Sequence, residues 1–336
     1  MNFGAVLIWL SIILSIISST FALWYHWGGD PELKRLSKNT GMGCAVTTTL
    51  STFLLAYHFL TNHYQYVYVY NHASMELPWY YRLSGIWAGQ EGTILFWAWI
   101  ILLTLVILER TKPYALSDIL EVAQPLTMMI ISFFLILLAF TNPFDTFGFV
   151  PSDGIGLNPL LRNPWMIFHP PVLFVGYATF TIPYAFAMGY LITGNADWTK
   201  VSKPWSRVSW LFLTLGIGIG GFWAYEVLGW GAWYWSWDPV ETSSLVPWVT
   251  ATAFLHCQSV YQRTREYELL TPALAITTFV LVIFATFVVR SGIWTSVHAF
   301  TRTPVGPLFV IFLAALIIFG IVLLWQRSKM LAGRSE

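Results

Sequence analysis

The chain has 336 residues, of which 57% are hydrophobic and only 10% charged. Soluble domains carry about 25% charged residues, so the composition excludes a soluble fold and points to an integral membrane protein. The net charge of +1 decides nothing further, and no nucleic-acid partner is expected.

Runs of about 20 apolar residues cross a bilayer as helices. Nine such runs lie at 4–24, 42–61, 87–108, 123–141, 171–192, 208–226, 246–262, 270–289 and 306–325. They predict an all-α fold, a polytopic transmembrane helix bundle forming a single domain over 1–336. The first run has no basic stretch before it and no small-residue cleavage site after it, so it reads as a retained helix. Loops on the cytoplasmic side are rich in Lys and Arg. Of the 17 such residues, 13 fall in one alternating set of loops and four in the other, namely Arg82, Arg162, Arg290 and Arg302. The predicted topology puts the N-terminus outside and the C-terminus inside.

The outside segments carry the distinctive residues: loops 62–86, 142–170 and 290–305, and a Trp-rich stretch within 229–248. In the first, Tyr64-Gln65-Tyr66-Val67-Tyr68-Val69-Tyr70 alternates with period two and predicts a short strand. The second is long and rich in proline, a property of functional or disordered loops, and its Phe and Leu content argues for order. Within 208–226, the run Gly216-Ile217-Gly218-Ile219-Gly220-Gly221 suits close helix packing. Cys44 and Cys257 form no CxxC pair, so no disulfide framework or thiol redox centre is indicated.

The Trp-rich stretch reads Trp230-Gly231-Ala232-Trp233-Tyr234-Trp235-Ser236-Trp237-Asp238-Pro239-Val240-Glu241. An interfacial aromatic belt explains one or two of these tryptophans. The full run reads better as a flat aromatic shelf for a large planar apolar ligand. His169, before Pro170-Pro171, is expected to cap the helix over 171–192, where the dipole favours a neutral, metal-binding imidazole; a solvated loop histidine is the other reading. His298 enters from the loop after 270–289, on the same side. Two imidazoles across a plane with an apolar shelf is how haem iron is held. His256 sits eight residues past Trp248, about 12 Å deep at about 1.5 Å per residue. It is either a metal or haem ligand or a histidine bonded to a neighbouring carbonyl. Asp238 before Pro239 has the form of an N-cap. Arg290, Arg302 and Arg162 are candidates for haem propionates, or else interfacial anchors. His58 and His63, five apart, give no strong metal spacing.

The Trp230–Glu241 run is similar to the tryptophan-rich "WWD" motif of the haem-handling proteins of cytochrome c biogenesis. Within that superfamily the chain most resembles the cytochrome c maturation protein F (CcmF) type. Further matches are Leu77-Pro78-Trp79-Tyr80-Tyr81 with Trp87 and Glu91-Gly92, and Gly154 to Leu161 leading into Phe168-His169-Pro170-Pro171. Arg290-Ser291-Gly292-Ile293-Trp294-Thr295-Ser296-Val297-His298-Ala299-Phe300 also agrees. The resemblance implies that His169 and His298 hold the iron of an external haem. It implies that His256 is one axial ligand of an intramembrane haem b. The tryptophans Trp230, Trp233, Trp235 and Trp237, with Asp238, Arg290 and Arg302, are expected to bind the external haem. Family members of this type are about twice as long and carry a second deep ligand in the distal half. A second subunit is therefore expected to supply that half. Gln90 stands where the family commonly has histidine.

The function implied is a subunit of a cytochrome c haem lyase, presenting haem outside the membrane for thioether attachment to apocytochrome c. Its expected partners are membrane lipid, that second subunit, other cytochrome c maturation proteins including a haem chaperone, and apocytochrome c. The expected location is a bacterial or archaeal cytoplasmic membrane or the mitochondrial inner membrane, with the functional face outside, on the periplasmic side. Three other functions compete. A haem-delivery protein that loads a haem chaperone has fewer helices. A transporter of haem or another solute places its site at the midplane, often between inverted repeats. A b-type cytochrome oxidising quinol needs paired deep histidines.

Overall fold

The computed structural model describes residues 2–111, 117–228, 235–296 and 305–333. The predicted helices are present, most are longer than their apolar runs, and polar caps open several of them. α1 (Phe3–Gly28) starts where the Asn2 side chain accepts a hydrogen bond from the Ala5 amide at 2.9 Å. α2 (Pro31–Leu60) follows after a two-residue turn, with Asp30 as N-cap and proline at its first position, where the missing N–H leaves no bond unmade. Two short helices, α3 (Val67–His72) and α4 (Trp79–Ser84), precede α5 (Gln90–Thr111) and α6 (Ser117–Leu137). Next come α7 (Pro164–Thr179), α8 (Thr181–Thr193) and α9 (Trp198–Val227). α10 (Pro239–Thr264), α11 (Leu270–Ser291) and α12 (Gly306–Ala332) complete the set.

Among the described residues, eight spans are long and apolar enough to cross a membrane: α1, α2, α5, α6, α7 with α8, α9, α11 and α12. The expected ninth, 246–262, lies within α10, which is long enough but too polar to stand among the eight. The polar side chains explain this, since several are spent on neighbouring helices. Thr252 Oγ1 accepts from Trp210 Nε1 at 2.9 Å, and Gln258 Nε2 donates to Ser202 Oγ at 2.8 Å. Trp248 Nε1 donates to Thr214 Oγ1 at 2.7 Å. Interhelical bonds of this kind hold transmembrane helices together.

The strand expected over 64–70 is not formed. Residues 67–72 are helical, and a single bridge, Tyr66 to Thr146, is all that pairs. The alternation arises from burial of Tyr64, Tyr66 and Tyr68. The Tyr68 hydroxyl lies 3.1 and 3.0 Å from the carbonyls of Gly85 and Ile86 and accepts from the Gly89 amide. Tertiary contacts override a β pattern of this length.

The chain forms two compact units. The first comprises Met1–Val106, Met128–Phe174 and Gly218–Ser236. Its α1 and α2 pair through small polar residues. Ser18 Oγ donates to the Ser37 carbonyl at 2.8 Å, and Ser37 Oγ returns the bond at 2.9 Å. Its core gathers Trp97 against Phe134 and Phe174. Loop 153–156 is fastened to the end of α3: Ile155 N donates to Tyr70 O at 2.8 Å, Gly156 N to Ala73 O at 3.0 Å, and Met75 N to Asp153 Oδ1 at 2.9 Å. The amides of Met75 and Gly154, both donating to Asp153 Oδ1, hold its carboxyl below the ordinary carboxylate range.

The second unit comprises Ile107–Thr127, Val175–Ile217 and Trp237–Glu336. At its centre α8 is buried from Thr181 to Leu191. Tyr190, Trp198 and Phe254 stack there in series. At one end the loops bearing most of the basic residues meet. Asn195 donates to Asp118, Tyr261 Oη to Ala196 O, and Arg265 to Asp197. Arg327 lies over the Tyr190 ring.

Candidate functional site

The helix that carries His169 begins earlier than its prolines suggest. α7 opens at Pro164, with Asn163 Oδ1 accepting from the Trp165 amide at 2.9 Å. His169 is therefore not an N-cap: it lies inside α7, and Pro170 and Pro171 lie inside too. A helical amide bonds the carbonyl four residues back, so Pro170 leaves the Met166 carbonyl without its usual donor. Trp87 Nε1 takes that place, donating to Met166 O at 3.2 Å. An indole from the stretch before α5 thus lets a proline pair sit in a helix that would otherwise be broken.

Within the first unit, α7 is clamped to the end of α9. Asn163 Nδ2 donates to Glu226 at 3.0 Å, Trp223 Nε1 donates to Leu160 O at 3.0 Å, and Trp165 stacks on Phe222 at 5.3 Å. Between these contacts the imidazole of His169 lies against Gly220. A Cβ at Gly220 would stand 2.5 Å from His169 Cε1 and 2.7 Å from Nδ1. Of the glycine run expected to serve close helix packing, Gly220 admits a histidine ring, whereas nothing stands within 4 Å of a Cβ at Gly218. His169 is half-buried. That cradle fits an axial ligand to a haem.

The Trp-rich stretch is described from Trp235 onward. Trp237 is 69% exposed and has φ of +60°. A bulky residue in the left-handed region costs on the order of 1–3 kcal/mol, and such strain gathers at ligand clamps. Asp238 caps α10 as expected, its Oδ2 accepting from the Val240 amide at 3.0 Å. The same oxygen accepts from Ser296 Oγ at 2.7 Å. Asp238 therefore ties the start of α10 to the segment leading toward His298. Asp238→Ala is expected to cost about 1 kcal/mol through the lost cap; Asp238→Asn is expected to restore it. Thermal unfolding of the purified chain checks both. A loss in Asn equal to that in Ala would show that the charge, not the cap, is what matters.

Arg290 stands in the last turn of α11 and is only 2% exposed, so it is not an interfacial anchor at the surface. Glu241, in the first turn of α10, is also buried. His256 lies on an exposed face of α10, open to a ligand. Trp230, Trp233, His298 and Arg302 lie outside the described residues.

His58 and His63 meet, with their Nδ1 atoms 2.9 Å apart and His63 also bonded to Thr61 Oγ1 at 2.9 Å. Among the described residues no group of three or more His, Cys, Asp or Glu could hold a metal ion. His72 Nδ1 donates to Tyr68 O at 2.8 Å, and burial pushes its pKa down. Sequence reasoning missed Gly220, Trp87 and Trp223 as positioning residues. For Gly220 the signal was present in the glycine run, but its partner lies 51 positions away along the chain.

Comparison with known proteins gives the family. The family model described as "Cytochrome C assembly protein" matches residues 87–295. The chain is 38% identical over 320 residues to "Cytochrome c-type biogenesis protein CcmF" of Haemophilus influenzae, covering 94% of this chain and 49% of that protein. It is 35% identical to the protein of the same name from Escherichia coli K12, covering 96% and 50%. A solved structure, "Cytochrome c Heme Lyase CcmF", superposes with a TM-score of 0.81 at 26% identity, covering 96% of this chain and 51% of that one. The chain thus spans about half the length of the curated relatives it matches. Eight apolar membrane-length spans and these relatives identify an integral membrane protein, and the chain belongs to the cytochrome c assembly protein family.

Proposed function

We propose that the chain is part of a cytochrome c haem lyase and holds haem at the outer face of the membrane for attachment to apocytochrome c. The observation that carries this is the His169 imidazole seated against Gly220 on a clamped α7. A solved structure bearing the name of a cytochrome c haem lyase shares the fold. In this reading His169 and His298 bind the iron of the external haem, and Trp230, Trp233, Trp235 and Trp237 offer it apolar surface. Arg290 and Arg302 face its propionates, and Asp238 keeps the segments around it in place. Haem bound there supplies the vinyl groups across which the cysteine thiols of apocytochrome c add. The chain's own work is binding and orientation, which can supply a large part of a rate enhancement. The partners are apocytochrome c and other maturation proteins, including a haem chaperone.

His256 takes one axial position of a haem b within the membrane. Its exposed place on α10 suits a second ligand from residues outside this chain, which a second subunit would supply. In this topology α10 also spans, the N-terminus is outside, and the membrane is a bacterial or archaeal cytoplasmic membrane or the mitochondrial inner membrane.

Absorption spectroscopy of the detergent-purified chain, oxidised and reduced, tests the reading. The chain alone is expected to lack a six-coordinate b-type spectrum and to gain one on co-purification with a second polypeptide, and His256→Ala is expected to remove it. A complete b-type spectrum from the chain alone would overturn the split ligation. No haem in either preparation would sink the haem-handling role of His256.

A further inference from the structure

At the end of the second unit where the basic loops meet lies an open pocket of about 510 Å³, between the start of α9 and the end of α10. Small-molecule sites occupy about 300–1,000 Å³. Four cations line it, Lys200, Lys203, Arg207 and Arg265, with one carboxylate, Asp197. That carboxylate is already shared: Lys200 Nζ stands 2.6 Å from its Oδ2 and Arg265 Nη2 2.9 Å from its Oδ1. The other two cations have no such partner. Lys203 Nζ donates at 2.7 Å to Gln262 Oε1, a neutral acceptor. Arg207 and Arg263 stand near enough to repel it. Among the described residues no carboxylate pairs with Lys203 or Arg207.

Four cations gathered around one pocket with a single carboxylate between them leave an excess of like charge that is unfavourable unless an anion joins them. Lys203 and Arg207 are one turn apart on α9, and the row continues into the bilayer as Val208, Leu211 and Leu215, all exposed. A helical spacing of three and four places these on one stripe. The stripe is cationic at the membrane edge and apolar below it.

We propose that this pocket binds the phosphate of an anionic phospholipid, with the acyl chains along the apolar stripe of α9. Lys203 and Arg207 hold the phosphate, and Asp197 keeps Lys200 and Arg265 at its rim. Zwitterionic lipids present the same phosphate beside a cation that the pocket repels, so the site discriminates by net headgroup charge. The proposal rests on the membrane location of the chain and not on its haem chemistry.

Native mass spectrometry of the purified chain in detergent, titrated with phosphatidylglycerol, phosphatidylcholine or inorganic phosphate, tests it. Phosphatidylglycerol is expected to be retained about tenfold more than phosphatidylcholine, and to be displaced poorly by inorganic phosphate. Each pocket charge is worth about a fivefold change, so Lys203→Gln with Arg207→Gln is expected to lower phosphatidylglycerol retention about thirtyfold. Lys203→Arg with Arg207→Lys is expected to keep it, and so is Lys34→Gln with Lys38→Gln, which removes as much charge elsewhere. If the double Gln variant does not fold, Arg207→Gln alone carries the test with a fivefold loss, since Arg207 is exposed. Equal retention of the two lipids, or equal loss in the Lys34 and Lys38 control, overturns the site. Inorganic phosphate bound as well as phosphatidylglycerol overturns the lipid as its source in favour of a soluble anion.

Discussion

Gly220→Ala is expected to lower holocytochrome c formation about a hundredfold, as far as His169→Ala does, while leaving the chain folded. Helix propensity alone points the other way, because alanine is favoured over glycine in a helix interior by about 1 kcal/mol. The geometry decides the sign. The new Cβ would lie 2.5 Å from His169 Cε1 and 2.7 Å from Nδ1, too near for either atom to stay. A histidine ring is the free end of a rotatable side chain, so the ring moves and the helices do not. Overpacking of about 1–3 kcal/mol is then largely relieved by rotation, and the propensity gain offsets part of what remains. Thermal unfolding should change by no more than about 1 kcal/mol. What is lost is the direction of the imidazole, and misplacing a positioned group by about 1 Å costs on the order of a hundredfold. Gly218→Ala is the control, since nothing stands within 4 Å of a Cβ there. Holocytochrome c is read by haem peroxidase staining in cells making the chain in its membrane. Full formation in Gly220→Ala would remove His169 from the site.

The spans were legible because the bilayer sets a length that only long apolar runs meet. α10 was legible as a helix but not as a polar one with a purpose. Thr252, Trp248 and Gln258 make sense only beside Trp210, Thr214 and Ser202, which lie in another helix. The start of α7 shows the same limit at finer grain. Asn163-Pro164 and His169-Pro170 are both plausible first turns. The choice between them rests on whether another donor serves the Met166 carbonyl, and that donor, Trp87, comes from before α5. Over 64–68 buried tyrosines alternate with less buried residues, but the ladder that would make them a strand needs a partner strand. Thr146 alone provides it. The role of Asp238 as an N-cap was local and therefore readable; its bond to Ser296 was not.

Gly154→Ala is expected to destabilise the chain by roughly 3–5 kcal/mol, the largest effect on stability of any single methyl considered. Unlike Gly220, this glycine faces backbone. Its Cβ would fall inside the van der Waals surface of the Ala73 carbonyl oxygen and 2.9 Å from that of Tyr70. Neither can rotate away, because both end α3 and both accept loop amides, from Gly156 and Ile155. Separating loop and helix breaks those two bonds, at about 1 kcal/mol each, besides the steric term of about 1–3 kcal/mol. The effect does not stop at the loop. Asn158 Oδ1 accepts from the Leu160 amide, and the Leu160 carbonyl accepts from Trp223 Nε1, so the segment that detaches also steadies the end of α9 beside His169. Thermal unfolding in detergent should show the loss, and limited proteolysis should cut 142–163 faster. Gly148→Ala, with nothing within 4 Å of its Cβ, should stay within about 0.5 kcal/mol of the parent chain. If Gly154→Ala unfolds as late as Gly148→Ala, the loop is not fastened to α3 and cannot be what holds α7 in place.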